Sequence, residues 1–361
     1  NYFCNNCFYM YFIFPIFLIY FILFIAFGFL FFVLKKNNNH INVDYSVIIP
    51  VKNEAENIIS SINSILVQSY LPAKILIVDD HSSDNVSQII QNNFSQYEFI
   101  KYIKLDKDEC GKKLAIKKGL LASNTERVII TDADCVWHEK FSENFHFDIK
   151  NRLISFPVVY FNCSSFISKI FQVELILLNS VGWASMSFKK PFLISGAGMM
   201  FLKNDYLQFC EQVETRTSHG DDMYFLEFIK NKFGNSAIQV NLSPGSLIFT
   251  KPPNDLNEYL HQRARWASKT PYYKNFLSWF WAILALIIQL LIPVMLIFNL
   301  KFGFLLLVIK LIAEMFLYSS LVKFFKLSYN FFACIIFSLF SWILLILIIC
   351  RWAYGFEWKK N

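Results

Sequence analysis

Residues 45–80 read YSVIIPVKNEAENIISSINSILVQSYLPAKILIVDD, and the order of patterns in this stretch decides the fold. Residues 45–50 are a short run rich in β-branched side chains and closed by Pro50, residues 54–68 carry apolar side chains at helical spacing, and residues 74–78 (KILIV) form a second buried-strand run. This is a β-α-β beginning. The alternation continues with a helix near 85–93, a strand near 99–103, a helix over 112–121 and a strand over 127–130. Strands that alternate with helices predict an α/β fold with a mostly parallel, Rossmann-like sheet covered on both faces. In such sheets ligands bind beyond the carboxyl ends of the strands. Those ends here carry Val51-Lys52-Asn53-Glu54, Asp79-Asp80-His81-Ser82-Ser83-Asp84 and Thr131-Asp132-Ala133-Asp134, so three acidic strand ends are expected on one edge.

Outward from this core the composition changes. The chain has 361 residues, 55% hydrophobic and 17% charged, which is more apolar than a soluble domain of its size. The excess lies at the two ends, while residues 44–270 have an ordinary mixed composition. Residues 8–34 hold no charge and exceed the roughly 20 residues that a spanning helix needs. A cleaved secretory signal fits poorly, because the run is too long and no basic segment precedes it. No initiator Met is present, which is compatible with a truncated N-terminus.

Three further runs, at 276–298, 302–322 and 331–354, are read as C-terminal spans. Lys310 and Glu314 fall inside the second, at a spacing that lets them pair on one helix face; a structural pair is favoured over a pathway role. The expected organisation is an N-terminal span with a linker (1–43), a soluble domain (44–255, divided near 135), an interfacial helix (256–275) and the C-terminal spans (276–361). Lys35 and Lys36 after the first span, and Lys323 and Lys326 between the last two, place the soluble domain in the cytoplasm by the positive-inside rule. Lys359 and Lys360 then fall outside, so the number of C-terminal spans stays open. The net charge of +7 is assigned to loops beside anionic lipid. No basic and aromatic pattern points to nucleic acid. Eight scattered cysteines imply no disulfide framework, and the single CxxC at Cys4 and Cys7 is a weak metal or redox signal. Residues 37–39 read as a short polar linker.

Asp132 and Asp134, one residue apart at a strand end, suit a hard divalent ion that also holds phosphate oxygens. Taken alone, an Asp-x-Asp is explained equally by helix capping or solvation. Context gives it weight. The runs SVIIPVKNEAENI (46–58), VDDHSSD (78–84), GKKLAIKKG (111–119) and TDAD (131–134) resemble, in order and spacing, the nucleotide-binding half of family-two glycosyltransferases. SGAGMMF (195–201), GDD (220–222) and QRARW (262–266) resemble the acceptor half and the QxxRW motif of the membrane-integrated members. These include poly-N-acetylglucosamine, hyaluronan, chitin and cellulose synthases and ceramide glucosyltransferase.

The resemblance implies a GT-A-like domain inserted between transmembrane helices, a nucleotide-sugar donor, and a divalent metal, Mg2+ or Mn2+. By it, Pro50, Val51, Asn53 and Glu54 line the nucleoside pocket and Asp79 reads the base or ribose, while Asp80 either assists or fixes the turn. Lys112 or its neighbour Lys113 approaches the nucleotide. Asp132 contacts the nucleotide and, with Asp134, the metal. Asp222 is the expected base that takes the acceptor proton, with Asp221 assigned to the helix cap; one base and direct displacement imply inversion. Gly196, Ala197 and Gly198 lie beside the acceptor, with packing as the competing reason for their small size. Gln262 and Arg265, at i and i+3, bind the donor diphosphate, and Trp266 stacks on the acceptor sugar; an interfacial belt is the plainer reading of the same residues. Arg263 is expected to face lipid headgroups.

The leading expectation is a synthase extending a polysaccharide at the cytoplasmic face, with export or accessory subunits unspecified. A single-transfer enzyme acting on a membrane lipid uses the same chemistry. A catalytically inactive scaffold or receptor is the remaining alternative, disfavoured because every acidic motif is present.

Overall fold

The computed structural model describes residues 9–33, 43–146, 148–212, 221–268 and 275–353. Cys4, Cys7, Lys35, Lys36, the 37–39 linker, Gly220, Lys359 and Lys360 lie outside the described residues, as does the side chain of Asp221. Along the chain, helix α1 (Phe14–Val33) precedes strand β1 (Tyr45–Val51), helix α2 (Ile58–Leu66), strand β2 (Lys74–Asp79), helix α3 (Val86–Phe94), strand β3 (Ile100–Lys104), helix α4 (Lys112–Ala122) and strand β4 (Arg127–Thr131). Short strands β5 (Cys135–Trp137), β6 (Leu153–Ser155) and β7 (Val158–Tyr160) lead to helix α5 (Phe166–Ser187) and strand β8 (Gly198–Leu202). Helices α6 (Lys203–Gln212) and α7 (Asp221–Phe233), then strands β9 (Ile238–Val240) and β10 (Ile248–Thr250), follow. Last come helices α8 (Leu256–Ala267), α9 (Phe276–Phe298), α10 (Leu300–Phe325) and α11 (Phe331–Ala353).

Two compact units result. One comprises Lys36–Phe161 and Gly182–Lys251; the other holds α1, Asn162–Val181 and the chain from Pro252 onward. The first unit contains a seven-stranded sheet in the order β3-β2-β1-β4-β8-β6-β9 and a three-stranded sheet in the order β5-β10-β7. Strands β1 to β4 run parallel, β8 is antiparallel to both neighbours, and β9 is parallel to β6. The mostly parallel α/β sheet expected from the alternation is therefore present. Val47, Ile48 and Ile49 of β1 and Ile75 and Ile77 of β2 are fully buried, as central strands covered on both faces require. Helix α2 turns Ile58, Ile62 and Ile65 inward at i, i+4 and i+7.

That helix starts four residues later than its apolar spacing predicts. The loop before it is drawn toward the next strand end: the Ala55 N–H donates to Asp84 Oδ2 at 2.8 Å, and Asn53 adopts the left-handed conformation at φ 57°. Residues 54–57 are thereby held in a turn, and the regular helix begins only at Ile58.

In the second unit, α1, α9, α10 and α11 are long apolar helices. Tyr11–Val33, Phe166–Ser187, Phe276–Phe298 and Phe331–Ala353 are long and apolar enough to cross a membrane. Phe166–Ser187 differs in that 61% of its apolar window is buried inside the protein, against 22–33% for the other three, which makes it equally an interior helix. Helix α10 carries Lys310 and Glu314, both buried, and they pair at 2.9 Å as their i, i+4 spacing predicts. The Lys310 ammonium also donates to the Ser338 carbonyl at 2.8 Å and to Ser341 Oγ at 3.0 Å on α11. Glu314 accepts from Tyr20 of α1 at 2.7 Å and from Ser338 Oγ at 2.6 Å. Every hydrogen bond in this set replaces one that water would supply elsewhere, which is the condition for keeping charge among apolar helices.

Candidate functional site

Strands β1 and β2 end in register, Val51 opposite Asp79, and β4 lies on the other side of β1. The residues that follow these strands therefore share one edge. Beyond β4, Ala133 is packed into the core at 3% exposure, which leaves Asp132 and Asp134 on either side of an inward-pointing residue. Asp134 Oδ2 accepts from Thr250 Oγ1 of β10 at 3.0 Å. Burial and then the neighbouring Asp132 charge push the Asp134 carboxyl above its ordinary range, against weaker opposition from Thr250, Cys135 and Lys112. A pair held this way gains from a cation. Among the described residues no group of three or more His, Cys, Asp or Glu side chains is placed to hold a metal by itself. Two carboxylates fit an ion of the Mg2+ type, which takes one or two protein carboxylates and fills its shell with substrate phosphate and water.

The loops after β1 and β2 are stitched together. Asn53 accepts at Oδ1 from the Ser83 N–H at 2.7 Å and Ser83 Oγ at 3.1 Å, and its own N–H donates to Ser82 Oγ at 2.9 Å. Glu54 accepts from Asn57 Nδ2 at 2.6 Å. Pro50 and Val51 stay within β1, and Val51 is buried. Asp79 is 2% exposed and held from within the protein: Oδ1 accepts from the Ser82 N–H at 3.0 Å and from Ser82 Oγ, and Oδ2 accepts from the Tyr102 hydroxyl at 2.7 Å. Burial, followed by this bond to Asp79, raises the Tyr102 phenol above its usual value. Asp80 is different. Its Oδ2 lies 3.5 Å from the Lys52 ammonium, while its buried Oδ1 has no partner. A buried acceptor without a donor is costly, so Asp80 Oδ1 has capacity for an incoming N–H or O–H.

Lys112 and Lys113, indistinguishable in sequence, part company at the start of α4. Lys113 is buried with its ammonium 5.1 Å over the Phe209 ring. Lys112 forms an ion pair with Asp132 and keeps 42% of its side chain exposed. Burial works against its charge, but the Asp132 carboxylate, with a further contribution from Asp222, outweighs this and holds the ammonium above its ordinary pKa. Asp222 therefore lies within electrostatic reach of the Lys112–Asp132 pair. It sits at the start of α7, where Oδ2 accepts from the Gly196 N–H at 3.2 Å and Oδ1 from the Met223 N–H at 2.9 Å.

A Cβ on Gly196 would stand 3.2 Å from Asp222 Oδ2, so the absence of a side chain there lets the backbone approach the carboxylate. Gly198 is small for another reason. Its Cβ would meet Ile248 Cδ1 at 2.8 Å and Val158 Cγ2 at 3.2 Å, so packing between the two sheets accounts for it. Ala197 packs, partly buried, against the core cluster.

In the other unit, α8 begins at Asp255, whose side chain accepts from the Glu258 N–H at 2.8 Å. Gln262, Arg265 and Trp266 are half-buried on this helix, whereas Arg263 is 4% exposed. The expectation that Arg263 faces lipid headgroups is thus corrected: its guanidinium is bonded to Glu174 of α5. Besides Arg263, sequence reasoning passed over Lys52, Tyr102, Thr250 and Glu174. Lys52 was the one with a local signal, since it stands inside the strand-end motif itself; the others come from chain positions remote from the groups they touch.

The model for "Glycosyl transferase family 2" matches residues 46–203. Glycosyltransferase AglE of Haloferax volcanii is 33% identical over 100 residues, covering 27% of this chain and 33% of that protein. Poly-β-1,6-N-acetyl-D-glucosamine synthase of Staphylococcus aureus is 24% identical over 237 residues, covering 63% of this chain and 55% of the synthase. The chain thus spans between a third and about half of the length of these curated relatives. Among solved structures, the mannosyltransferase PcManGT of Pyrobaculum calidifontis, in complex with GDP-Man and Mn2+, superposes with a TM-score of 0.55 at 14% identity and covers 96% of both chains, a likeness of fold. The parallel β1–β4 core with its acidic strand ends is, on these grounds, the heart of a glycosyl transferase family 2 domain with a GT-A-like fold, which this chain carries together with apolar helices long enough for a membrane.

Proposed function

We propose that the protein is an inverting, metal-dependent glycosyltransferase that moves a sugar from a nucleotide-sugar, of the UDP class, to a growing polysaccharide at the cytoplasmic face of a membrane. The observation that carries this reading is the grouping of Asp132, Asp134, Lys112 and Asp222 beyond the parallel strand ends of one unit. The Mn2+ held by the mannosyltransferase of like fold supports a divalent ion here. Asp132 and Asp134 would hold that ion, which when bound neutralises charge on the donor diphosphate.

In this reading Asp80 Oδ1 accepts a hydrogen bond from the nucleoside, with Asp79 locking the turn beneath it. Pro50, Val51, Asn53 and Glu54 form the wall on that side. Lys112 places a positive charge near the leaving diphosphate, where a preorganised cation is most effective. Asp222, held by the Gly196 and Met223 amides, takes the proton of the acceptor hydroxyl. The acceptor oxygen forms the new bond at the anomeric carbon, the bond from that carbon to the diphosphate oxygen breaks on the opposite face, and the nucleoside diphosphate departs with the electron pair. One displacement inverts the centre. By the family resemblance, Gln262 and Arg265 bind the diphosphate and Trp266 and the 196–198 segment meet the acceptor.

A second reading, single transfer to a membrane lipid, is favoured by one observation. One set of interior polar groups of the helical unit, Lys310, Glu314, Ser338, Ser341, Gln289 and Tyr20, is bonded together. Groups committed in this way do not line a polar conduit for a polymer. Purified protein incubated with labelled UDP-sugars and lipid extract separates the two: a ladder of products supports polymerisation, and a one-sugar glycolipid as the sole product overturns it.

A further inference from the structure

The guanidinium of Arg263 sits at the centre of a set of contacts within the helical unit. Its Nε donates to Glu174 Oε1 at 2.9 Å and Oε2 at 3.0 Å, and Nη2 also bonds to Oε2. Its Nη1 donates to Gln262 Oε1 at 2.6 Å. Its central carbon lies 4.3 Å from the Trp266 ring centre and 4.8 Å from that of Tyr259. Tyr259 in turn stacks on Phe171 of α5 at 4.1 Å with rings 5° from parallel. Phe171 and Glu174 are one helical turn apart, so α5 presents a ring and a carboxylate to the same face of α8.

From this arrangement we infer that the Arg263–Glu174 pair is a positioning device that fixes the side chains of Gln262 and Trp266. The inference rests on the proposed role of those two residues in binding donor and acceptor. The chemistry is particular to arginine. One planar group supplies a fork to Glu174, a further donor to Gln262 and a flat cationic surface for aromatic rings; a lysine carries one point charge and no plane. The bond to Oε1 fixes the orientation of the Gln262 amide, and the guanidinium packs over the Trp266 ring. A buried pair that served stability alone would have no need of either contact, since apolar residues of similar size often stabilise as well.

The test compares wild type with Arg263→Lys, with the double variant Arg263→Met/Glu174→Leu, and with Gln262→Ala and Trp266→Ala. UDP-N-acetylglucosamine, UDP-glucose and GDP-mannose serve as donors, and diphosphate release, donor KM and thermal unfolding in detergent are recorded. The expected result is a fall in kcat of about 10- to 100-fold in each Arg263 variant that stays folded, as a small misplacement of binding groups produces. The unfolding midpoint of the double variant stays near that of wild type, and Arg263→Lys does not restore the rate. Wild-type kcat in either folded Arg263 variant, or loss of folded protein in both, overturns the positioning role. If Gln262→Ala and Trp266→Ala themselves leave transfer unchanged, the functional reading of the motif fails and this inference with it. If they abolish transfer while the Arg263 variants do not, only the inference fails.

Discussion

Lys112 and Lys113 are adjacent in sequence and identical in chemistry, yet the roughly 100° between successive helix positions separates what they do. Lys112 faces Asp132, and Lys113 points inward over Phe209. Replacing Lys112 by Ala is expected to lower kcat/KM for the donor on the order of a hundredfold, the scale of one lost charge-stabilising group, with little change in thermal unfolding. Lys113→Ala should do the reverse, lowering the unfolding midpoint while kcat/KM per folded molecule stays near wild type. Steady-state kinetics and a melting curve on the same preparations check both; equal kinetic loss from the two variants would contradict the assignment. At this scale the sequence was legible where chemistry is local. Asp132, Asp134 and Asp80 are readable because each stands in the short loop at the end of a strand. Thr250 and Arg263 were not, because their partners, Asp134 and Glu174, lie 116 and 89 positions away. The polar, charged appearance of α8 also hid the burial of Arg263, which a neighbouring helix imposes.

Elements, more than residues, decide how tightly the candidate site is held. Strand β8 is pinned between β4 and β6, and at Gly198 the side chains of Ile248 and Val158 occupy the space a Cβ would need. Gly198→Ala forces a methyl group into that contact and should cost about 1–3 kcal/mol in chemical unfolding. Shortening the neighbour with Ile248→Val should recover part of it, and an unshifted transition in Gly198→Ala would refute the packing reading. Among the apolar helices, Glu314→Ala leaves Lys310 charged and buried and should cost about 3–5 kcal/mol, whereas the paired change Lys310→Leu/Glu314→Leu should be far milder. Melting in detergent distinguishes them, and equal effects would argue against a coupled pair. Both β-α-β periodicity and apolar run length were visible in the sequence. The late start of α2 was not, since it depends on a hydrogen bond from Ala55 to a loop after another strand.

For the molecule as a whole, the sequence places acidic strand ends in one unit and the QRARW segment in another, and each unit is intelligible by itself. Chelation should abolish transfer, and added Mn2+ or Mg2+ should restore it, because Asp134 is buried beside the Asp132 carboxylate, an arrangement that a divalent cation relieves. Full activity in excess EDTA would remove the metal from the account. The central claim is that Asp222 is the base of a nucleotide-sugar site. It is tested most directly by measuring UDP binding and sugar transfer side by side in wild type and Asp222→Asn. UDP affinity should stay within about twofold of wild type while the transfer rate falls by about a hundredfold to ten-thousandfold; turnover at the wild-type rate in Asp222→Asn would exclude Asp222 as that base.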